Sequence, residues 1–196
     1  MKVITIDFDI IMAPSISFYD HFIPQVSWNN LDRMTLSRIF YGDYSYYSKL
    51  TNWLLFQIKK MPKEKIFFIH SHEQVYNLID KETHIDLINI DHHHDLGYPG
   101  NNNRKLSCAN WINFFIKENR LNSYLWINNE NSTPPKLNNN YPYKTALLKN
   151  YNLNNLEGDM IIICLSPEWV PPYIRPLFNI WTNIYEFYYN TSIEFK

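Results

Sequence analysis

His84-Ile85-Asp86-Leu87-Ile88-Asn89-Ile90-Asp91-His92-His93-His94-Asp95 decides the fold. A largely apolar run ends abruptly in two carboxylates and three imidazoles. Ionisable groups are costly to cluster at the end of a buried strand unless something neutralises them, and the usual neutraliser is a metal ion. If the strand geometry persists, alternation puts Asp91, His93 and Asp95 on one side and His92 and His94 on the other. Two oxygen ligands and one nitrogen ligand then face a common point, while His92 and His94 pack or support.

Working outward, the same design recurs. Val3-Ile4-Thr5-Ile6-Asp7-Phe8-Asp9 reads as a buried strand with two acids at its C-terminal end. Lys65 to Ile69 is a short strand running into His70-Ser71-His72, followed by a helix from about Glu73 to Ile79. Met160 to Leu165 is an unbroken apolar run, the mark of a parallel strand buried on both faces, and it ends at Ser166-Pro167-Glu168. Helical spacing covers Leu31 to Phe40, Tyr46 to Lys60 and Cys108 to Lys117, and Pro171-Pro172 opens an aromatic-rich C-terminal helix. Tyr124 to Ile127 is a further strand, and Asn129 to Tyr143 a polar surface loop.

Strands alternating with helices predict an α/β fold, a mostly parallel sheet in a three-layer α/β/α arrangement. A single domain is expected over residues 1–196, with no internal repeat. In such sheets the C-terminal strand ends share one edge, where ligands bind. Asp7/Asp9, His70/His72, Asp91/His93/Asp95 and Glu168 should therefore converge.

Bulk properties narrow the function classes. Net charge is −1, which argues against nucleic acid as the main partner. No segment approaches the roughly 20 apolar residues of a membrane span. Met1-Lys2 leads straight into a strand rather than a signal-type segment, and Cys108 and Cys164 form no paired motif; both features suit a cytoplasmic protein. Only four glycines occur, so Gly-rich phosphate loops are absent.

Asp7, Asp9, Asp91, His93, Asp95 and one of His70/His72 make six ligands, too many for one tetrahedral zinc. They fit two five- or six-coordinate cations sharing carboxylates. Oxygen-rich ligation with some imidazole favours Mn²⁺ over Fe²⁺, Zn²⁺ or Mg²⁺. Two metals about 3.5–4 Å apart activate water at neutral pH, so the implied chemistry is hydrolysis.

These motifs resemble those of the arginase/ureohydrolase superfamily: Asp91-His92-His93-His94-Asp95 matches its Asp-x-His-x-Asp, and Thr5-Ile6-Asp7-Phe8-Asp9 loosely matches its Ser-x-Asp-x-Asp strand. The likeness is nearest to the small arginase-like branch that includes peptide arginases, through His72-Glu73-Gln74-Val75, Cys108-Ala109-Asn110-Trp111 and Leu165-Ser166-Pro167-Glu168. The resemblance implies an arginase/deacetylase-like fold with circularly permuted motif order, because the Asp-x-Asp strand comes first. It implies two Mn²⁺ per chain, one held by His72, Asp91, Asp95 and Asp7, the other by His93, Asp91, Asp7 and Asp9. Asp95 would also accept a proton during attack, and Glu168 would hold the guanidinium, although Glu168 also reads as an acid at a helix N-terminus. Helix-junction position favours His72 over His70 as the ligand, leaving His70 to face substrate. Asn110 and Trp111 would line the cleft, with core packing an equal alternative for Trp111.

The resemblance further implies hydrolysis of arginine to ornithine and urea. The residues that clamp a free amino acid are not recognisable, which favours arginine within a ribosomally made precursor peptide. Two alternatives share parts of the pattern: a phosphoesterase of the Asp-His-His type and an acyl-amide hydrolase on a related fold.

Overall fold

The computed structural model describes residues 1–14, 40–42, 44–98, 105–135 and 142–196. The helix expected over Leu31 to Phe40 and the loop around Gly100 to Asn103 fall largely outside them. Eight strands are described: β1 (Lys2–Asp7), β2 (Met12–Pro14), β3 (Phe40–Gly42), β4 (Ile66–Ile69), β5 (Ile85–Ile90), β6 (Leu121–Asn128), β7 (Lys144–Leu147) and β8 (Met160–Cys164). The α-helices among the described residues are α1 (Tyr44–Ile58), α2 (Gln74–Leu78), α3 (Trp111–Lys117) and α4 (Arg175–Tyr189). Six strands form one sheet in the order β4-β8-β1-β5-β6-β7, and every pairing within it is parallel. β2 and β3 form a separate antiparallel ribbon.

Alternation along the strands builds two cores. Ile4, Ile6, Ile161, Ile163, Ile66 and Phe68 face one side, where α1 and α4 supply Leu50, Trp53, Phe178 and Trp181. Val3, Leu87, Ile162 and Ile69 face the other, against Val75 of α2 and Trp111, Ile112 and Phe115 of α3. Burial on both faces explains why β8 is Met-Ile-Ile-Ile-Cys without a polar residue. α1 and α4 are amphipathic helices whose buried stripes meet the sheet and each other. α4 carries Pro176 in its first turn and ends at Asn190 in the left-handed conformation, which Asn tolerates. No helix among the described residues is long and apolar enough to cross a membrane.

β4, β8, β1 and β5 are contiguous, so the polar segments that follow them share one edge. Two expected strands stop short. β1 ends at Asp7, and Phe8–Ile11 is a 3-10 turn. β5 ends at Ile90, and Asp95 has φ 50°. The convergence of Asp9, His93 and Asp95 is therefore made by turns, not by strand alternation. The cause is local: Asp7 Oδ1 accepts the Asp9 backbone N–H at 3.1 Å, and Asp91 Oδ1 accepts that of His93 at 2.7 Å. An acid bonding its own chain two residues on closes an Asx turn.

Candidate metal centre

Two adjoining clusters occupy the sheet edge. In the first, His72 Nδ1 lies 2.9 Å from Asp95 Oδ2, 3.2 Å from Asp91 Oδ2 and 3.3 Å from Asp7 Oδ2. In the second, His93 Nδ1 lies 2.8 Å from Asp9 Oδ2 and 3.9 Å from Asp91 Oδ1. Asp91 belongs to both and offers a different oxygen to each. Asp7 faces the first cluster with Oδ2, while its Oδ1 accepts the Asp9 N–H.

These buried Asp and His groups can hold a metal ion. Neighbouring ligand atoms around a six-coordinate cation with bonds of about 2.1 Å stand about 3.0 Å apart, close to the spacings around His72. His72 Nε2 makes no hydrogen bond among the described residues, and Asp9 Oδ2 makes none beyond its contact with His93 Nδ1. A native interior rarely leaves such groups unsatisfied unless an ordered water or an ion completes them.

Electrostatics point the same way. Burial, then the neighbouring Asp9 carboxylate, pushes Asp7 well above the ordinary carboxylate range. Burial and Asp91 do the same to Asp9. Burial and Asp91 push Asp95 up to about 7. His72 is raised despite its burial, chiefly by Asp7. Burial would also raise Asp91, but the hydrogen bond and charge of His72, with that of His93, outweigh it and hold Asp91 below its ordinary range. Four buried carboxylates so close together stay ionised together only with added positive charge.

A surrounding shell orients the ligands. Trp111 Nε1 donates to Asp95 Oδ2 at 2.6 Å, Asn89 Nδ2 to Asp91 Oδ2 at 3.0 Å, and Ser166 Oγ to Asp7 Oδ2 at 2.5 Å. Trp126 Nε1 holds the Asp91 carbonyl at 2.9 Å. Cys164 Sγ lies 3.2 Å from Ser166 Oγ and close enough to Asp7 and His72 to count as a potential ligand. His92 is buried against Asn129, and His94 Nδ1 accepts the Leu96 N–H, so both serve the turn.

Several expected residues take other places. Of the pair His70/His72, only His72 enters the cluster; His70 is exposed and stacks on Phe195 with ring centroids 4.2 Å apart. Trp111 is fully buried, so it supports Asp95 instead of lining a cleft. Asn110 is also buried, its amide spent on Ser107 N and Lys105 O. Glu168 is exposed in the turn between Ser166, bound to Asp7, and Trp169, whose ring lies 4.6 Å from that of His93. Sequence reasoning missed Ser166, Asn89, Cys164 and Trp169. Of these, only Ser166 and Cys164 carried a signal, their position at the end of the β8 run.

No protein-family model, curated protein or solved structure matches the chain.

Proposed function

We propose that this protein is a metal-dependent hydrolase of arginase-like fold that acts on the guanidino group of arginine within a peptide, giving ornithine and urea. The carrying observation is that Asp91 presents one oxygen to each of two His/Asp clusters, the arrangement a pair of cations requires. His72, Asp91, Asp95 and Asp7 would hold one ion; His93, Asp9 and Asp91 would hold the other. The donors are mainly carboxylate with one imidazole on each side, which matches Mn²⁺. When bound, such a pair supplies Lewis acidity and brings the pKa of water near neutrality.

The chain's own groups do the rest. Asp95, whose Oδ2 is oriented by the Trp111 N–H, accepts a proton from water as it attacks the guanidinium carbon. The bond from that carbon to the arginine chain nitrogen then breaks; the proton held by Asp95 and the remaining hydroxyl proton pass to that nitrogen, leaving urea and the ornithine ammonium. Glu168, exposed on the turn between Ser166 and Trp169, would pair with the guanidinium. His93 is the most accessible ligand, with 12% of its side chain exposed, so substrate enters on that side. A ribosomally made precursor peptide is the partner this reading implies.

Incubating arginine-containing peptides with the Mn²⁺-loaded protein tests it. A loss of about 42 Da per processed arginine, the mass of CN₂H₂, should accompany urea release. Turnover of free arginine alone, or cleavage of a phosphate ester or acyl amide instead, would replace this reading with another.

A further inference from the structure

The segment after β8 is fixed from two sides. On the site side, Ser166 donates to Asp7, and its own backbone N–H binds His70 O at 3.1 Å. On the helix side, the Arg175 guanidinium binds Val170 O at 2.9 Å and also Pro167 O. Within the turn, Trp169 N and Val170 N both bind Ser166 O. Ser166 itself has φ 47°, a strained conformation for a residue with a side chain, and these contacts hold it there. The turn therefore presents Glu168 and Trp169 on a rigid mount. Glu168 is exposed, with its charge also felt by Arg175; Trp169 is half-buried, and its indole lies against His93, the ligand most open to solvent.

A carboxylate alone does not separate arginine from lysine, since it attracts either cation. An indole beside it does: a planar, weakly hydrated guanidinium stacks on an aromatic face, whereas an ammonium keeps its hydration. We propose that Trp169 is a specificity-determining residue of the substrate subsite, forming with Glu168 a flat slot that selects a guanidinium side chain over the ammonium of lysine. This rests on the arginine-directed reading of the site and supplies the contact that makes it selective.

The test compares wild type, Trp169→Leu and Trp169→Phe, all Mn²⁺-loaded, on one acetylated arginine peptide and its lysine counterpart. Urea release gives kcat and KM, and calorimetric titration gives peptide affinity without relying on turnover. Trp169→Leu should weaken arginine-peptide affinity and raise KM about tenfold, with kcat and metal content nearly unchanged, while Trp169→Phe recovers most of the loss. Unchanged affinity in Trp169→Leu, or a fall in kcat at constant KM, would overturn the proposal. Equal wild-type affinity for the arginine and lysine peptides would do the same. If wild type binds the arginine peptide selectively through Trp169 yet releases no urea, the slot stands and the hydrolase reading fails.

Discussion

Trp111 Nε1 donates to Asp95 Oδ2 at 2.6 Å, and that same oxygen stands 2.9 Å from His72 Nδ1. The fully buried indole, at the start of a helix packed on the sheet, thus aims the carboxylate of a residue whose own backbone is left-handed, on another segment. Trp111→Phe keeps the ring and removes the N–H. It should cost about 1–3 kcal/mol of stability and weaken metal binding about 10–100-fold. Metal titration of the folded variant checks this; unchanged affinity would make Trp111 a packing residue only.

Removing metal should invert the usual effect of pH on stability. Asp95 sits at about 7 in the folded chain against an ordinary 3.8, so between those values the folded state holds a proton the unfolded state has released. Stability falls as pH rises through that window. Asp7 and Asp9, also raised, act with the same sign. The contribution of His72, raised above 6.5, is present below that value and lost as pH climbs through its folded value. Asp91 is shifted down, so its contribution is lost only on acidification below 3.8. Chelator-treated protein should melt at lower temperature at about pH 8 than at about pH 5, and saturating Mn²⁺ should reverse that order. A metal-free melting temperature that rises with pH would contradict the shared protonation of the cluster.

Phe8 stands between the two acids of the first turn. Its ring meets Trp181 and Phe178 edge-on, with centroids 5.0 and 5.2 Å away. That packing anchors the 3-10 turn carrying Asp9 to α4. Phe8→Ala should cost about 3–5 kcal/mol and loosen metal binding at the Asp9/His93 cluster more than at the His72 cluster. Denaturant unfolding with stepwise metal titration separates the two effects; equal loss of both metals would show that the turn is not held by Phe8 alone.

The sheet was readable because parallel strands buried on both faces need apolar runs, and β1, β4, β5 and β8 have them. The clustering of acids and histidines after those runs placed the site. The local geometry was not readable in the same way. Asp7 and Asp91 each end their strand by bonding the chain two residues on, a choice strand alternation does not reveal. β7 escaped notice because its Lys-Thr-Ala-Leu sequence lies at a sheet edge and lacks the apolar signal. Asn110 and Trp111 looked like cleft residues, but a polar or aromatic side chain at a helix start reads alike whether it meets substrate or supports a carboxylate. The Ser166–Asp7 contact joins the end of β8 to β1, a neighbour relation that only the sheet order supplies.

Metal stoichiometry of the wild type and of Asp91→Asn tests the central claim most directly. Asp91 faces His72 with one oxygen and His93 with the other. Metal analysis should therefore find about two Mn²⁺ per wild-type chain, and neither ion tightly bound in folded Asp91→Asn. A wild type that binds no tight metal or a single zinc, or an Asp91→Asn variant that keeps both ions, would contradict a dinuclear centre built on Asp91.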